Sequence, residues 1–83
     1  MVLVICTIKS DNELFSNNVK AWVDTDDLEE AKIKTLHKLA QEGMEVLTIV
    51  EAVKTERNDY FPPCTSLDTF IRAEQEGIAI LLP

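Results

Sequence analysis

The segment Glu45–Val53, with the sequence Glu-Val-Leu-Thr-Ile-Val-Glu-Ala-Val, is the feature that most constrains the fold. Its Val, Ile and Thr residues favour a β-strand because branched side chains suit a pleated surface. In a regular strand Val46, Val50 and Ala52 point to one face. The other face then carries Leu47, Ile49 and Val53. A strand that is apolar on both faces needs cover on both, so the segment is predicted to be an interior strand of a small sheet.

The N-terminal segment Val2–Lys9 is predicted to be the first strand of a hairpin. A turn at Ser10–Glu13 would bring Leu14–Asp24 back antiparallel, with opposed residue numbers that sum to 23. This register collects one apolar face, made of Val2, Val4, Cys6, Ile8, Phe15, Val19 and Ala21. The alternative is a long loop over residues 10–18, followed by a short strand from Val19 to Val23.

Two helices are predicted from capping residues and apolar spacing. The first begins near Asp24, with Thr25 or Asp26 as the cap, and ends at Gly43. Its apolar stripe consists of Leu28, Ala31, Thr35, Leu36, Leu39 and Ala40. The second helix is shorter. It is capped by Thr65 or Ser66 and stops at Gly77, before a last strand over Ile78–Leu82.

The resulting order is β-β-α-β-α-β within one domain, residues 1–83. It predicts an α+β fold in the form of an α/β two-layer sandwich. The crossover through the first helix is expected to be right-handed, which most simply places both helices on one face of a four-stranded mixed sheet. No residue motif ties the chain to a named family.

Two helices on one face would leave the other face of the sheet uncovered. Leu3, Ile5 and Trp22 would then be exposed, together with either Leu47 and Ile49 or Val46 and Val50 of the central strand and either Ala79 and Leu81 or the Ile78 row of the last strand. Each apolar side chain contributes about 1.5–3 kcal/mol when it is fully buried. Contiguous apolar patches usually mark interfaces, so these residues are predicted to form a homodimer interface. The alternative is that the loop over residues 56–64 folds over this face within a single chain.

The charge balance excludes several classes of partner. Fifteen acidic residues against eight basic ones give a net charge of −7, which disfavours binding to nucleic acid or anionic lipid. No apolar run approaches the ~20 residues of a membrane span. Two cysteines, Cys6 and Cys64, do not form a disulfide framework, so a cytoplasmic protein with reduced thiols is predicted.

The sequence contains no recognisable catalytic or metal motif. His37 is the only histidine and has no positioned acid or nucleophile beside it, so neither general acid–base chemistry nor a zinc site is predicted. Gly43 and Gly77 are the only glycines, and both belong to helix ends, which leaves no phosphate-binding loop. No cofactor, metal or enzymatic activity is therefore expected.

Two groups of residues are candidates for binding a partner. The acidic side chains at the start of the first helix are Asp24, Asp26, Asp27 and Glu30, and they are predicted to dock a basic protein. Favourable charge at a helix N-terminus explains the same residues without a partner. Tyr60 and Phe61 precede a proline pair and are predicted to form a rigid recognition edge. The alternative is that Phe61 packs into the rim of the core and Tyr60 shields it.

The function predicted from these features is that of a small acidic module that acts through protein–protein interaction and is homodimeric. One concrete version is an inhibitor or immunity-type protein that neutralises a basic enzyme, because complementary charge speeds association. The rival hypothesis, from a different class, is a metabolite-binding or catalytic domain with a pocket at the dimer seam near Trp22 and Tyr60.

Overall fold

The computed structural model describes residues 1–9, 17–62 and 64–82. Its elements are β1 (Val2–Ile8), β2 (Asn17–Val23), α1 (Leu28–Gln41), β3 (Val46–Lys54), a 3-10 turn (Arg57–Asp59), α2 (Thr65–Glu76) and β4 (Ile78–Leu81). The predicted α+β class and the order β-β-α-β-α-β are confirmed.

The four strands form one sheet in the order β3-β1-β2-β4, and every neighbouring pair is antiparallel. The mixed sheet predicted from the sequence is therefore wrong. Helix α1 returns the chain to the starting end of β2, so β3 runs in the same direction as β2 but lies beside β1. The expectation that Glu45–Val53 forms an interior strand is also wrong, because β3 lies at one edge and the interior strands are β1 and β2.

The two helices lie on opposite faces of the sheet. Helix α1 packs through Ala31 and Leu39 on the face formed by Val2, Val4, Cys6, Ile8, Val19 and Val23. Helix α2 packs through Phe70 and Ala73 on the face that carries Trp22 and Ala79. Alternation along a strand places these two sets on opposite sides. The prediction of a two-layer arrangement with both helices on one face is therefore wrong. The layers are helix, sheet and helix, because β1 and β2 are apolar on both sides.

The hairpin register differs from the predicted one by two residues. Val2 lies opposite Val23, and Val4 lies opposite Ala21, so the opposed numbers sum to 25 rather than 23. A shift of two leaves every side chain on its predicted face, because the strand period is two. The predicted turn and Phe15 lie outside the described residues.

Strand β3 carries two irregularities that set its surface. It supplies nine residues against the seven of β1, and the pairing shifts twice, which leaves Leu47 and Val50 without an opposed residue. Such bulges interrupt the regular alternation of faces. The half-buried positions therefore recur every third residue, at Val46, Ile49 and Ala52, and the predicted alternation with a period of two is wrong here.

Both helices begin at a cap residue other than the predicted ones, whereas both end at the predicted glycines. Asp27 caps α1, because its carboxylate accepts hydrogen bonds from the amides of Glu29 and Glu30 at 2.9 and 3.2 Å. Cys64 takes the cap position of α2 without a side-chain bond. Gly43 and Gly77 follow the helices with φ of 78° and 90°, the left-handed region that glycine tolerates best.

We expect Asp27→Ala to lower the free energy of unfolding by about 1 kcal/mol, because two amides at the start of α1 lose their acceptor. Asp26→Ala is the matched control, since the Asp26 side chain is almost fully exposed and makes one long contact of 4.0 Å to the N-terminal amine. Urea unfolding of both variants measures the difference. Equal losses in the two variants would contradict the assignment of the cap.

Candidate functional site

Trp22 is fully buried in the chain's own core, beneath α2. Its Nε1 donates a hydrogen bond to the Tyr60 hydroxyl at 2.9 Å, and the two ring centroids lie 6.3 Å apart at an angle of 65°. The Tyr60 ring also packs on Phe70, with centroids 5.9 Å apart. The prediction that Trp22 forms a dimer interface is therefore wrong, because none of its surface is accessible. Leu3 packs against the same cluster and is half-buried.

A directed chain of hydrogen bonds leads from Trp22 to a carboxylate. Thr55 Oγ1 donates to Asp59 Oδ2 at 2.9 Å, so its single proton is used. The Tyr60 hydroxyl, 2.9 Å from Thr55 Oγ1, must then donate to Thr55 and accept from Trp22. The backbone amide of Glu56 donates to Asp59 Oδ2 as well, at 2.8 Å. These bonds fix the segment after β3 against the sheet face that carries Trp22.

The bonds to Asp59 also set its titration. The Glu56 amide, and after it the Thr55 hydroxyl, hold the pKa of the Asp59 carboxyl below its ordinary value because both favour the charged form. The chain of donors contains no nucleophile positioned by a base. Within the described residues no group of three or more His, Cys, Asp or Glu side chains is placed to bind a metal. The Trp22–Tyr60 cluster packs the segment after β3 on the sheet, so the alternative in which residues 56–64 fold over this face is realised in part, through Tyr60.

Tyr60 and Phe61 have opposite environments. Tyr60 is half-buried in the cluster, whereas the side chain of Phe61 is 86% exposed. The predicted alternative, in which Phe61 packs into the core rim and Tyr60 shields it, is therefore wrong. A recognition edge, if formed here, depends on Phe61 alone, and that role stays a prediction.

The acidic residues at the start of α1 are exposed, as their proposed role requires. Asp27, however, caps the helix, and Glu30 accepts bonds from Lys34 and Thr25. The bond and charge of Lys34, together with the Thr25 hydroxyl, lower the pKa of Glu30. Asp26 lies 4.0 Å from the N-terminal amine, so three of the four carboxylates have a partner within the chain. Docking of a basic protein through Asp24 and Asp26 stays a prediction.

The exposed apolar surface of the sheet lies mainly on β3, where the exposed residues match neither of the two predicted sets for this strand. Leu47 and Val50 are more than half exposed, and Val53 is about one-third exposed. We call Leu47, Val50 and Val53 the β3 row. Of the predicted interface residues, Leu3 and Ile5 on the neighbouring strand β1 are half-buried and keep part of their side chains accessible. The sequence indicated an excess of apolar strand surface, but its location depends on the edge position and the bulges of β3.

A second feature lies at the opposite edge of the sheet. A cleft of about 390 Å³ runs along β4, between side chains of α1 and α2. Its walls carry Lys38 and Glu42 on one side and Arg72 and Glu76 on the other. Ile78 and Ile80 contribute apolar surface to its floor. Sequence reasoning did not find this cleft, since none of its residues belongs to a motif.

Comparison with known proteins finds no match among family models, curated proteins or solved structures. Within the described parts of the chain, no helix has the length and apolar character needed to cross a membrane. The functional argument therefore depends on the surfaces of the molecule itself.

We expect Tyr60→Phe to lower the free energy of unfolding by about 1–3 kcal/mol, because the buried Trp22 N–H loses its acceptor. Phe61→Ala, at the neighbouring exposed position, is expected to stay within about 0.5 kcal/mol of the wild type. Trp22 is the only tryptophan, so its fluorescence during urea unfolding reports both values. A loss in Phe61→Ala as large as that in Tyr60→Phe would contradict this account.

The lowered pKa of Asp59 predicts a contribution to acid sensitivity. Because its pKa is lower in the folded state than in the unfolded state, the contribution is fully present above the unfolded-state pKa. It is lost as the pH falls through the folded-state pKa. Asp59→Asn should therefore lose less stability than the wild type between about pH 6 and about pH 3, measured by urea unfolding. Asn58→Ala, at the adjacent position in the same 3-10 turn, serves as the control, because it removes no titrating group and should keep the pH dependence of the wild type.

Proposed function

We propose that this protein is a small protein–protein interaction module that works as a homodimer joined through β3. The observation that carries the proposal is the β3 row, three branched apolar side chains exposed on an edge strand. Because the bulges of β3 interrupt its backbone ladder, the contact is made by the side chains of the row. Exposed apolar surface of this kind usually marks an interface.

The arrangement of the β3 row favours a second copy of the same chain as the partner. A two-fold axis through Val50, with the two strands antiparallel, places Leu47 opposite Val53 of the partner subunit. Val50 then lies opposite its own copy, so the row is complementary to itself. A two-fold interface requires this property, because each residue pair occurs twice.

Charges beside the β3 row fit the same axis. Val46 would lie opposite Lys54 of the partner subunit, which brings Glu45 next to that lysine. Both Glu45 and Lys54 are exposed in the single chain. Opposite charges at the two ends of the strand favour the antiparallel arrangement over a parallel one, in which like charges would meet.

The energy available suits a reversible dimer. Two copies contribute six side chains that are about half exposed, which gives roughly 5–9 kcal/mol of apolar burial. This is of the same order as the cost of association. Only a small surplus remains, so we expect a weak dimer with a dissociation constant of about 1 mM. Since each chain carries a charge of −7, added salt should strengthen the dimer by screening the repulsion.

The other predicted functions receive less support. A pocket near Trp22 and Tyr60 has no room in the single chain, because Trp22 is fully buried and its N–H is bonded to Tyr60. Inhibition of a basic enzyme through Asp24 and Asp26 is supported by their exposure and by the net charge alone. Cytoplasmic location is consistent with these features and stays part of the proposal.

Sedimentation velocity at concentrations up to about 1 mM tests the dimer. We expect the wild type to form the dimer as the concentration rises, and Val50→Lys to be monomeric, because two lysines would face each other at the axis. Leu82→Lys is the matched control. It adds the same charge at a similarly exposed apolar position outside the β3 row, and it should dimerise like the wild type.

Three results bear on the proposal directly. A wild type that stays monomeric up to about millimolar concentration would remove it, since even a weak interface would be populated there. Loss of the dimer in Leu82→Lys with retention in Val50→Lys would move the interface away from the β3 row. A dimer that weakens as salt is added would contradict an interface dominated by apolar contacts.

A further inference from the structure

The outer edge of β4 presents backbone groups to the cleft. Within the described residues β4 pairs with β2 alone, and the bond from the Asp24 amide to the Gly77 carbonyl fixes which residues face β2. By alternation, the amide and carbonyl of Ala79 also point toward β2, and those of Ile78 and Ile80 point away from it. The outward direction is confirmed at Ile80, whose carbonyl accepts a hydrogen bond from the Arg72 side chain at 2.9 Å.

The two helices turn this edge into the floor of a groove. Helix α1 covers one face of the sheet and α2 covers the other, so their side chains form walls on both sides of β4. Met44 and Leu82 add apolar surface beside Ile78 and Ile80. A groove with backbone donors and acceptors along its floor and apolar side walls suits an added strand.

The groove is lined by charged side chains of both signs. A smaller hollow of about 270 Å³ adjoins it at the Ile78 end, and its lining includes Lys34, His37 and Lys38. The cleft and the hollow together contain three of the eight basic residues of the chain, Lys34, Lys38 and Arg72. Among the described residues, the acidic side chains of the two linings are Glu42 and Glu76, and Glu30 pairs with Lys34 from outside them. On a chain with a net charge of −7, this is a region of balanced charge in which three cations lie close together, each beside a glutamate.

We propose that the edge of β4 binds the C-terminal segment of another protein as a fifth antiparallel strand. A strand antiparallel to β4 ends beside Ile78, because β4 itself begins there. Its terminal carboxylate would then lie in the hollow next to Lys34 and Lys38. Charge-assisted hydrogen bonds to that carboxylate supply direction, and apolar side chains of the peptide contact Ile78, Ile80 and Met44.

Arg72 has a defined part in this site. In the free protein the Arg72 guanidinium donates a hydrogen bond to the Ile80 carbonyl. A backbone amide of the peptide would use the same acceptor. The Arg72 side chain is exposed and also contacts Glu76 at 3.7 Å, so it has a second position available when the peptide enters. When the peptide binds, its backbone amide replaces Arg72 as the donor to the Ile80 carbonyl. This carbonyl therefore accepts a hydrogen bond in both the free and the bound protein.

The β3 edge is a poorer site for the same ligand. Two bulges interrupt its alternation, so a regular peptide strand would lose register within a few residues. β4 has four residues and no bulge in its pairing with β2, which is enough for two or three peptide residues. The proposed peptide site and the proposed dimer surface therefore lie at opposite edges and are tested independently.

The test is a titration of the ¹⁵N-labelled protein with the acetylated peptide Thr-Val-Thr-Val-Leu bearing a free C-terminal carboxylate. We expect the amide signals of Ile78 and Ile80 to move downfield as they gain acceptors. The same peptide with an amidated C-terminus, or with alternate backbone amides methylated, should bind about tenfold more weakly. Lys38→Gln should lower the affinity for the free-acid peptide and leave the affinity for the amidated peptide unchanged.

Lys32→Gln is the matched control, because Lys32 lies on the same helix in an ion pair with Glu29 and outside the groove. It should bind like the wild type. Unmoved Ile78 and Ile80 signals at millimolar peptide would overturn the proposal, as would equal affinity for the free-acid and amidated peptides. Hexanoate binding as tightly as the peptide would overturn strand addition and identify a small-molecule cleft instead. Signals that move only at Val50 would place the peptide on β3 and also overturn it.

Discussion

The hydrogen bond from the buried Trp22 N–H to the Tyr60 hydroxyl is the interaction on which the arrangement of layers depends. An indole can be buried at low cost only if its N–H has an acceptor, and Tyr60 provides it from the segment between β3 and α2. That bond, continued through Thr55 to Asp59, fixes the start of the return path to β4. Helix α2 consequently packs on the Trp22 face, opposite α1, and closes the second side of the sheet.

The two helices cover the sheet unevenly. Helix α2 and Tyr60 cover the face over β2 and β4, whereas β3, at the far edge, receives cover mainly from α1. The surplus of apolar strand surface that the sequence indicated is thus largely absorbed by two helices on two faces. What is left is concentrated in the β3 row, and it forms a narrow interface rather than a whole open sheet.

The sequence predicted the elements better than their arrangement. Helix α1 and the apolar face of β1 follow from local periodicity, and both are confirmed. The bulges of β3 could not be predicted, because they arise from the mismatch between nine residues and the seven of its partner strand. The placement of α2 was mispredicted for a related reason. The handedness rule governs connections between parallel strands, and α2 joins antiparallel ones, so the rule does not set its face. The face of α2 depends on distant contacts, such as those of Trp22 with Tyr60 and Phe70. The same contacts removed Trp22 from the predicted interface.

The bulges of β3 have a consequence for how the protein behaves when it is concentrated. A long, flat, hydrophobic edge strand would promote the assembly of many chains into cross-β fibres. The growth of such fibres needs an unbroken ladder of backbone hydrogen bonds. Two extra residues twist β3 and interrupt such a ladder after every few bonds. β3 can therefore expose apolar side chains without promoting open-ended polymerisation.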